Sequence, residues 1–346
     1  MEQSKNRTKN KKMVLLLVIV FFGVFVGCGR QNTQEPTDGG FTAINNRVSD
    51  TNWPTRPVTI VVPFAPGGDT DFYARAYAPF LSEYFGVPFE VVNIPGDAGT
   101  YGASYVNSST PDGYTMLFYH TGNMFTNVIS GNTSLNWRDF AISNISNFDN
   151  ATVLVAGTQF GFTDAADFLA RARANPGGYR VATTMPGFSF FVLRKMELAG
   201  GFSLTPVSMA GAGLMAEAII NDEIELAIGV YAVFRPFIES GDLVPLLVSA
   251  ERRNPNFRYV ATVEDMGLAG AAMGRAYFFA FPPGTDDAIL HRLSDVVADI
   301  QFNNEYIATI RDAFDARPFF LPTFAVDGFL QDIWDSMYQM SDYIEY

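Results

Sequence analysis

The chain has 346 residues, 48% of them hydrophobic and 17% charged, with a formal net charge of -13. That is enough apolar material for two lobes, each with its own core. An acidic chain without a basic stripe is unsuited to nucleic acid or an anionic lipid surface, and one cysteine rules out an internal disulfide.

Lys5, Arg7, Lys9, Lys11 and Lys12 precede an unbroken apolar run from Met13 to Val26, followed by Gly27 and Cys28. At the helical rise the run spans only about 21 Å, short of a bilayer core, so it reads as an export signal rather than a membrane span. Phe25-Val26-Gly27-Cys28 resembles a bacterial lipobox, with Phe25 where leucine is usual, and residues 1–28 are expected to be a lipoprotein signal segment with Cys28 lipidated. Residues 29–52, rich in Gln, Asn, Thr, Asp and Gly, form a solvated tether. Residues 1–27 carry five bases and one acid, so taking their net +4 from -13 leaves the exported part at -17, with Lys195 as its only lysine. An anionic ligand must therefore be held by local dipoles and hydrogen bonds, because the overall field repels it.

Pro57 to Asp71, PVTIVVPFAPGGDTD, joins a buried strand (Val58, Ile60, Val61, Val62), a glycine turn and a helix start. Gly67 and Gly68 permit positive φ, and Asp69, Thr70 and Asp71 offer N-cap side chains to a helix with Tyr73, Tyr77, Phe80, Leu81 and Tyr84 on one face. Free N–H groups at such a turn suit an anion, although an ordinary strand-to-helix turn looks the same.

Strand and helix signals then alternate as in parallel α/β layers. A strand at Phe89 to Asn93 leads into Pro95 to Gly102, and Tyr114 to Tyr119 and Ala151 to Ala156 are further strands. A helix over Asp164 to Ala174 ends at Asn175-Pro176-Gly177-Gly178. Val181-Ala182 enters the loop Thr183 to Ser189, Val207 to Met209 enters Ala210 to Gly213, and Ile224 to Ile228 is a strand. Glycine or hydroxyl residues at these junctions would lie at the carboxyl ends of parallel strands, where ligands sit in open α/β sheets.

Nucleophile-elbow, HExxH, Walker and GxGxxG motifs are all missing. His120 follows an apolar strand and His291 lies in a helical stretch, so both read as structural or surface residues. No cofactor or metal is expected.

Trp53 to Asp71 resembles the opening motif of the tripartite tricarboxylate transporter substrate-binding proteins, the Bug receptors. Further matches follow in order: Asn93 to Gly99, Pro111 to Thr115, Arg235-Pro236 to Leu243, and Phe281 to Thr285. The resemblance, running from about Trp53 to the C-terminus, implies an α/β, two-lobed periplasmic-binding-protein-like fold. Each lobe would be a mostly parallel sheet flanked by helices, with residues 53–153 and 274–346 in lobe one and 154–273 in lobe two. It implies a non-enzymatic extracytoplasmic receptor, lipid-anchored to the bacterial envelope, that captures a small organic carboxylate and delivers it to large and small permease subunits. The matching ligand-binding positions are Phe64, Ala65, Gly67, Gly68, Thr70, Ala98, Gly99 and Thr100 in lobe one. In lobe two they are Thr183, Thr184, Gly187, Ser189 and Gly229.

Lobe two departs from the family. Met209 to Ala212 replaces a Tyr-Lys-Gly-Ser run and Gly229-Val230 replaces Asp-Ser, which implies a drier pocket and a partly apolar mono- or dicarboxylate. A sensory receptor of the same fold and an exported α/β hydrolase using Ser189 or His120 are the alternatives.

Overall fold

The computed structural model describes residues 52–341 except Pro186 and Ala210, so the expected signal segment, Cys28 and all but the last residue of the tether lie outside the described residues. The chain begins with β1 (Val58–Val62), α1 (Asp69–Phe85), β2 (Phe89–Asn93), α2 (Thr100–Asn107), β3 (Thr115–His120), α3 (Thr121–Ile129) and β4 (Ala141–Asp149). Val58, Ile60, Val61 and Val62 are fully buried, as a β-branched run covered on both faces should be. The apolar face of α1 buries Tyr73, Tyr77 and Leu81, while Tyr84, expected on the same face, is exposed. The helix stops at Gly86, whose left-handed backbone lets its N–H reach Ser82 O at 3.0 Å.

A second run follows: β5 (Thr152–Gly157), α4 (Ala165–Ala174), β6 (Arg180–Thr183), α5 (Phe188–Gly200), β7 (Thr205–Ser208), α6 (Ala212–Ile220), β8 (Leu226–Val230), α7 (Tyr231–Glu239) and β9 (Leu243–Val248). The chain then returns through β10 (Arg275–Phe281), α8 (Asp287–Ile300), α9 (Asn304–Phe314), β11 (Leu321–Pro322) and α10 (Thr323–Tyr338). One sheet has the order β11-β4-β10-β3-β1-β2, the other β7-β6-β8-β5-β9. This is a two-lobed α/β periplasmic-binding fold. The expected division after residue 153 falls inside β5, all of which pairs in the second sheet.

Both sheets are mixed, and the antiparallel strands have a geometric cause. β1 pairs in parallel with β2 and β3, and β6 with β7 and β8, so these strands end on one edge of each sheet. β4 also ends on that edge, and the chain crosses from Asp149 to Thr152 without turning back. β5 therefore starts at the shared edge and runs away from it, antiparallel to β8 and β9. β10 makes the return journey and is antiparallel to β3 and β4.

The two crossings are bonded side by side. Ser249 N–H donates to Thr152 O at 2.9 Å, Met273 N–H to Ser249 O at 3.0 Å, and the Ser249 hydroxyl to Met273 O at 3.0 Å. Away from them, Lys195 Nζ donates to Ser336 Oγ at 2.7 Å and Arg235 pairs with Asp315 at 2.9 Å, each linking the lobes.

Candidate functional site

Six helices follow strands that end on the shared edge: α1, α2 and α3 in lobe one, α5, α6 and α7 in lobe two. In five of the six the N-cap residue offers no side-chain hydrogen bond to the first turn, although in α1 Asp69 Oδ1 takes the Thr70 N–H at 2.7 Å, and only α3 has a side-chain cap, from His120. By contrast α4, α8 and α9 are capped by Asp164, Asp286 and Asn303. Uncapped N-termini keep their donors and the positive end of the helix dipole available.

The loop before α1 is braced from beneath. Asp71 accepts the Gly67 N–H at 2.9 Å, the Arg75 Nε–H at 3.0 Å and the Asn93 amide at 2.8 Å, while the same amide donates to Phe64 O at 3.0 Å. Burial alone would raise the Asp71 carboxyl, but these hydrogen bonds outweigh it and hold it below its usual range. Two expectations change here. The N-cap of α1 is Gly68 rather than Asp69, Thr70 or Asp71, because Asp71 turns back to hold the loop. Only Gly67 has positive φ (89°), whereas Gly68 is extended at φ -80°, which any residue can adopt.

Ala65, Gly67 and Gly68 are exposed, Phe64 is half-buried and Thr70 is buried. On the next loop the Ala98 carbonyl is drawn into lobe one, accepting from Tyr119 Oη, Asn123 Nδ2 and Asn127 Nδ2 at 3.1–3.2 Å. Gly99 is buried at φ 100°, where an added Cβ would stand 2.6 Å from Tyr119 Oη, and Thr100 opens α2. His120, expected to be structural or at the surface, is buried: Phe64 stacks on it at 5.3 Å and its Nδ1 accepts the Asn123 N–H at 3.3 Å. Burial, reinforced by the nearby Arg275 charge, lowers its pKa to about 3, so it is neutral. His291 is exposed on α8.

In lobe two the hydroxyls satisfy one another. Thr183 and Ser189 share a hydrogen bond of 2.8 Å, the Thr184 N–H donates to Ser189 Oγ at 3.2 Å, and the Thr184 hydroxyl donates to Met209 O at 3.4 Å. Gly187 occupies the N-cap position of α5 without capping it, and half-buried Gly229 packs close to Phe234 and Ala212. The two sets of loops meet where α3 faces α5. A Cβ on Gly122 would lie 3.1 Å from Phe188 Cβ, so the missing side chain is what seats Phe188. A cavity of about 240 Å³ lies elsewhere, near the return crossing, lined by Phe148, Met273, Phe329 and Ile333.

Beneath this meeting point lies a cluster not anticipated from sequence. Arg275, the first residue of β10, pairs with Asp69 at 2.9 Å and with Asp149 at 2.8 Å, and Tyr277 Oη donates to Asp69 at 2.9 Å. Burial opposes the Asp69 charge, but Arg275 and the hydrogen bonds prevail and bring its pKa down to about 2. The available signal was a lone arginine opening an otherwise apolar aromatic strand. Among the described residues, no group of three His, Cys, Asp or Glu side chains could hold a metal, and no helix is long and apolar enough to cross a membrane.

Two lobes, twin crossings and helix N-termini gathered on one edge define the class of two-lobed solute-binding receptors. Residues 73–335 match the family described as "Tripartite tricarboxylate transporter family receptor", and the chain belongs to it. It is 25% identical over 293 residues to "UPF0065 protein in gbd 5'region" of Cupriavidus necator, covering 82% of this chain and 85% of that protein. It is 26% identical over 248 residues to "Protein BugT" of Bordetella pertussis, covering 70% and 76%. Among solved structures, "R. palustris Rpa4515 with adipate" superposes with a TM-score of 0.73 at 25% identity, covering 84% of this chain and 99% of that one. The family is one of extracytoplasmic solute-binding receptors.

Proposed function

We propose that this receptor captures a small organic carboxylate between its lobes and hands it to a membrane permease of large and small subunits. The observation that carries this reading is the set of five helix N-termini left without side-chain caps on the one edge where both lobes converge. A structural neighbour holding adipate supports a carboxylate. The lobes correspond to the two sheets, and closure about the paired crossings follows if the solute binds both sets of loops better than either alone. The ligand contacts are assigned to Phe64 to Thr70, Ala98 to Thr100, Thr183 to Ser189 and Gly229. Met185, Phe188 and Gly229 make lobe two apolar, so the preferred solute carries an aromatic or branched body. Lipidation at Cys28 tethers the receptor to the envelope.

The hydrolase alternative finds no support in the geometry. Ser189 bonds to Thr183 and Thr184, while His120 caps α3. A thermal-shift screen of aromatic, branched, di- and tricarboxylates tests the function. A matching ligand at a hundredfold its Kd stabilises by about 2.7 kcal/mol. Citrate should bind at least about tenfold more weakly than the best aromatic or branched carboxylate. A screen in which no carboxylate shifts the melting temperature overturns the reading, and tight citrate binding overturns the account of the pocket.

A further inference from the structure

Arg275 is 8% exposed, and its guanidinium carbon lies 5.7 Å from the ring centre of Phe188, where the two lobes meet. Nε and Nη2 are committed to Asp149 and Asp69. Nη1 has no hydrogen-bond partner among the described residues, and the side chain keeps 10% of its exposure. We propose that Arg275 anchors the solute, Nη1 donating to a carboxylate oxygen, and that Asp69 and Asp149, which hold the guanidinium in place, restrict the solute to a single negative charge. This rests on the carboxylate-receptor reading above.

The polar atoms around the guanidinium favour an anion over an ammonium. Asp69 Oδ1 accepts the Thr70 N–H at 2.7 Å and its Oδ2 accepts from Tyr277 and Arg275. Asp149 Oδ1 accepts the Ala151 N–H at 2.8 Å and its Oδ2 accepts from Arg275. His120 Nδ1 accepts from Asn123. These acceptors are engaged while a guanidinium donor stays open, and an ammonium has only donors to offer. One arginine against two aspartates leaves the cluster net negative, so the first carboxylate is held only by direct contact with the open Nη1 donor, and a second, out of that donor's reach in this shielded place, meets repulsion with no cation to offset it. The fork geometry also matters: lysine supplies a point charge on a shorter reach and cannot bridge two aspartates while presenting a third nitrogen.

Calorimetric titration with phenylacetate, hexanoate and adipate provides the test, hexanoate and adipate sharing chain length and differing in one carboxylate. Arg275→Lys, with fold checked by circular dichroism, should weaken phenylacetate and hexanoate by about tenfold or more, equivalent to about 1.4 kcal/mol. Asp69→Asn keeps an acceptor for Thr70 and removes one negative charge, so adipate should gain about tenfold on hexanoate. If Arg275→Lys does not fold, Asp69→Asn decides alone. Wild-type binding of these acids with unchanged affinities in Arg275→Lys, or with an unchanged adipate-to-hexanoate ratio in Asp69→Asn, overturns the role of Arg275 and leaves the receptor standing. A wild-type protein that binds no carboxylate overturns both.

Discussion

At His120 an imidazole caps a helix at the cost of being kept uncharged. Its pKa falls from 6.5 to about 3, chiefly through burial, with Arg275 adding to the shift and Asp69 opposing it. The groups around it are Asp69 on α1, Tyr119 on β3, and Arg275 and Tyr277 on β10. Below pH 6.5 the unfolded chain takes up a proton that the folded chain refuses, so this contribution is full above 6.5 and shrinks as the pH falls toward about 3. The Asp69 contribution, with its pKa lowered from 3.8 to about 2, is lost only below 3.8 and so does not overlap the His120 loss above it, while Asp299 and Asp315, raised chiefly by burial, act in the opposite sense. Unfolding by urea between about pH 7 and about pH 4.5 should show stability falling by up to about 1.4 kcal/mol per pH unit. His120→Asn, which can still cap α3, should flatten that slope, and equal slopes would refute the assignment. Residues of this kind were poorly legible in sequence. The glycine loops announced themselves by composition, but Arg275 meets Asp149 only through the register of β10 on β4.

The helices on the shared edge trade stability for binding. Gly68 is the N-cap of α1, its backbone is extended, and nothing lies closer to an added Cβ than Ala65 O at 3.9 Å. Gly68→Ser should therefore fit, cap the first turn and raise stability by a few tenths to about 1 kcal/mol. The same hydroxyl would occupy a donor that the ligand needs. Melting temperature should rise while carboxylate affinity drops by about tenfold or more; a rise in both would show that this N-terminus does not bind the solute. The repeated strand-loop-helix units were readable because apolar runs and glycine turns mark them. β4 escaped notice because Ser143, Asn144, Ser146 and Asn147 interrupt its apolar pattern. They are buried nonetheless: Ser143 Oγ donates to Leu290 O at 2.7 Å, Ser146 Oγ to Tyr277 O at 3.2 Å, and Asn147 Nδ2 to Tyr306 Oη at 2.9 Å. The Asn144 amide is buried with no hydrogen-bond partner among the described residues, and buried polar side chains of either kind cannot be told from loop residues by periodicity.

For the whole molecule, ordered family motifs carried the two-lobed architecture, and the exact residues of crossing emerged only from strand pairing. The proposed anchor belongs at this scale because the body itself has no membrane-spanning helix among the described residues. Cys28→Ser should abolish fatty-acid labelling and release the receptor from membranes; a variant still labelled and still sedimenting with membranes would refute lipidation at this position. The return of the chain through β10 also imposes an order on biosynthesis. Residues 152–248 supply every strand of the second sheet before β10 has been made, whereas the first sheet waits for a strand that belongs between β3 and β4. Until then both neighbours present unpaired edges, the surfaces that invite pairing with other chains. Export therefore has to keep those edges apart until residue 281 has emerged. A chain cut short before Arg275 would carry the second sheet complete beside a first sheet with a gap at its centre.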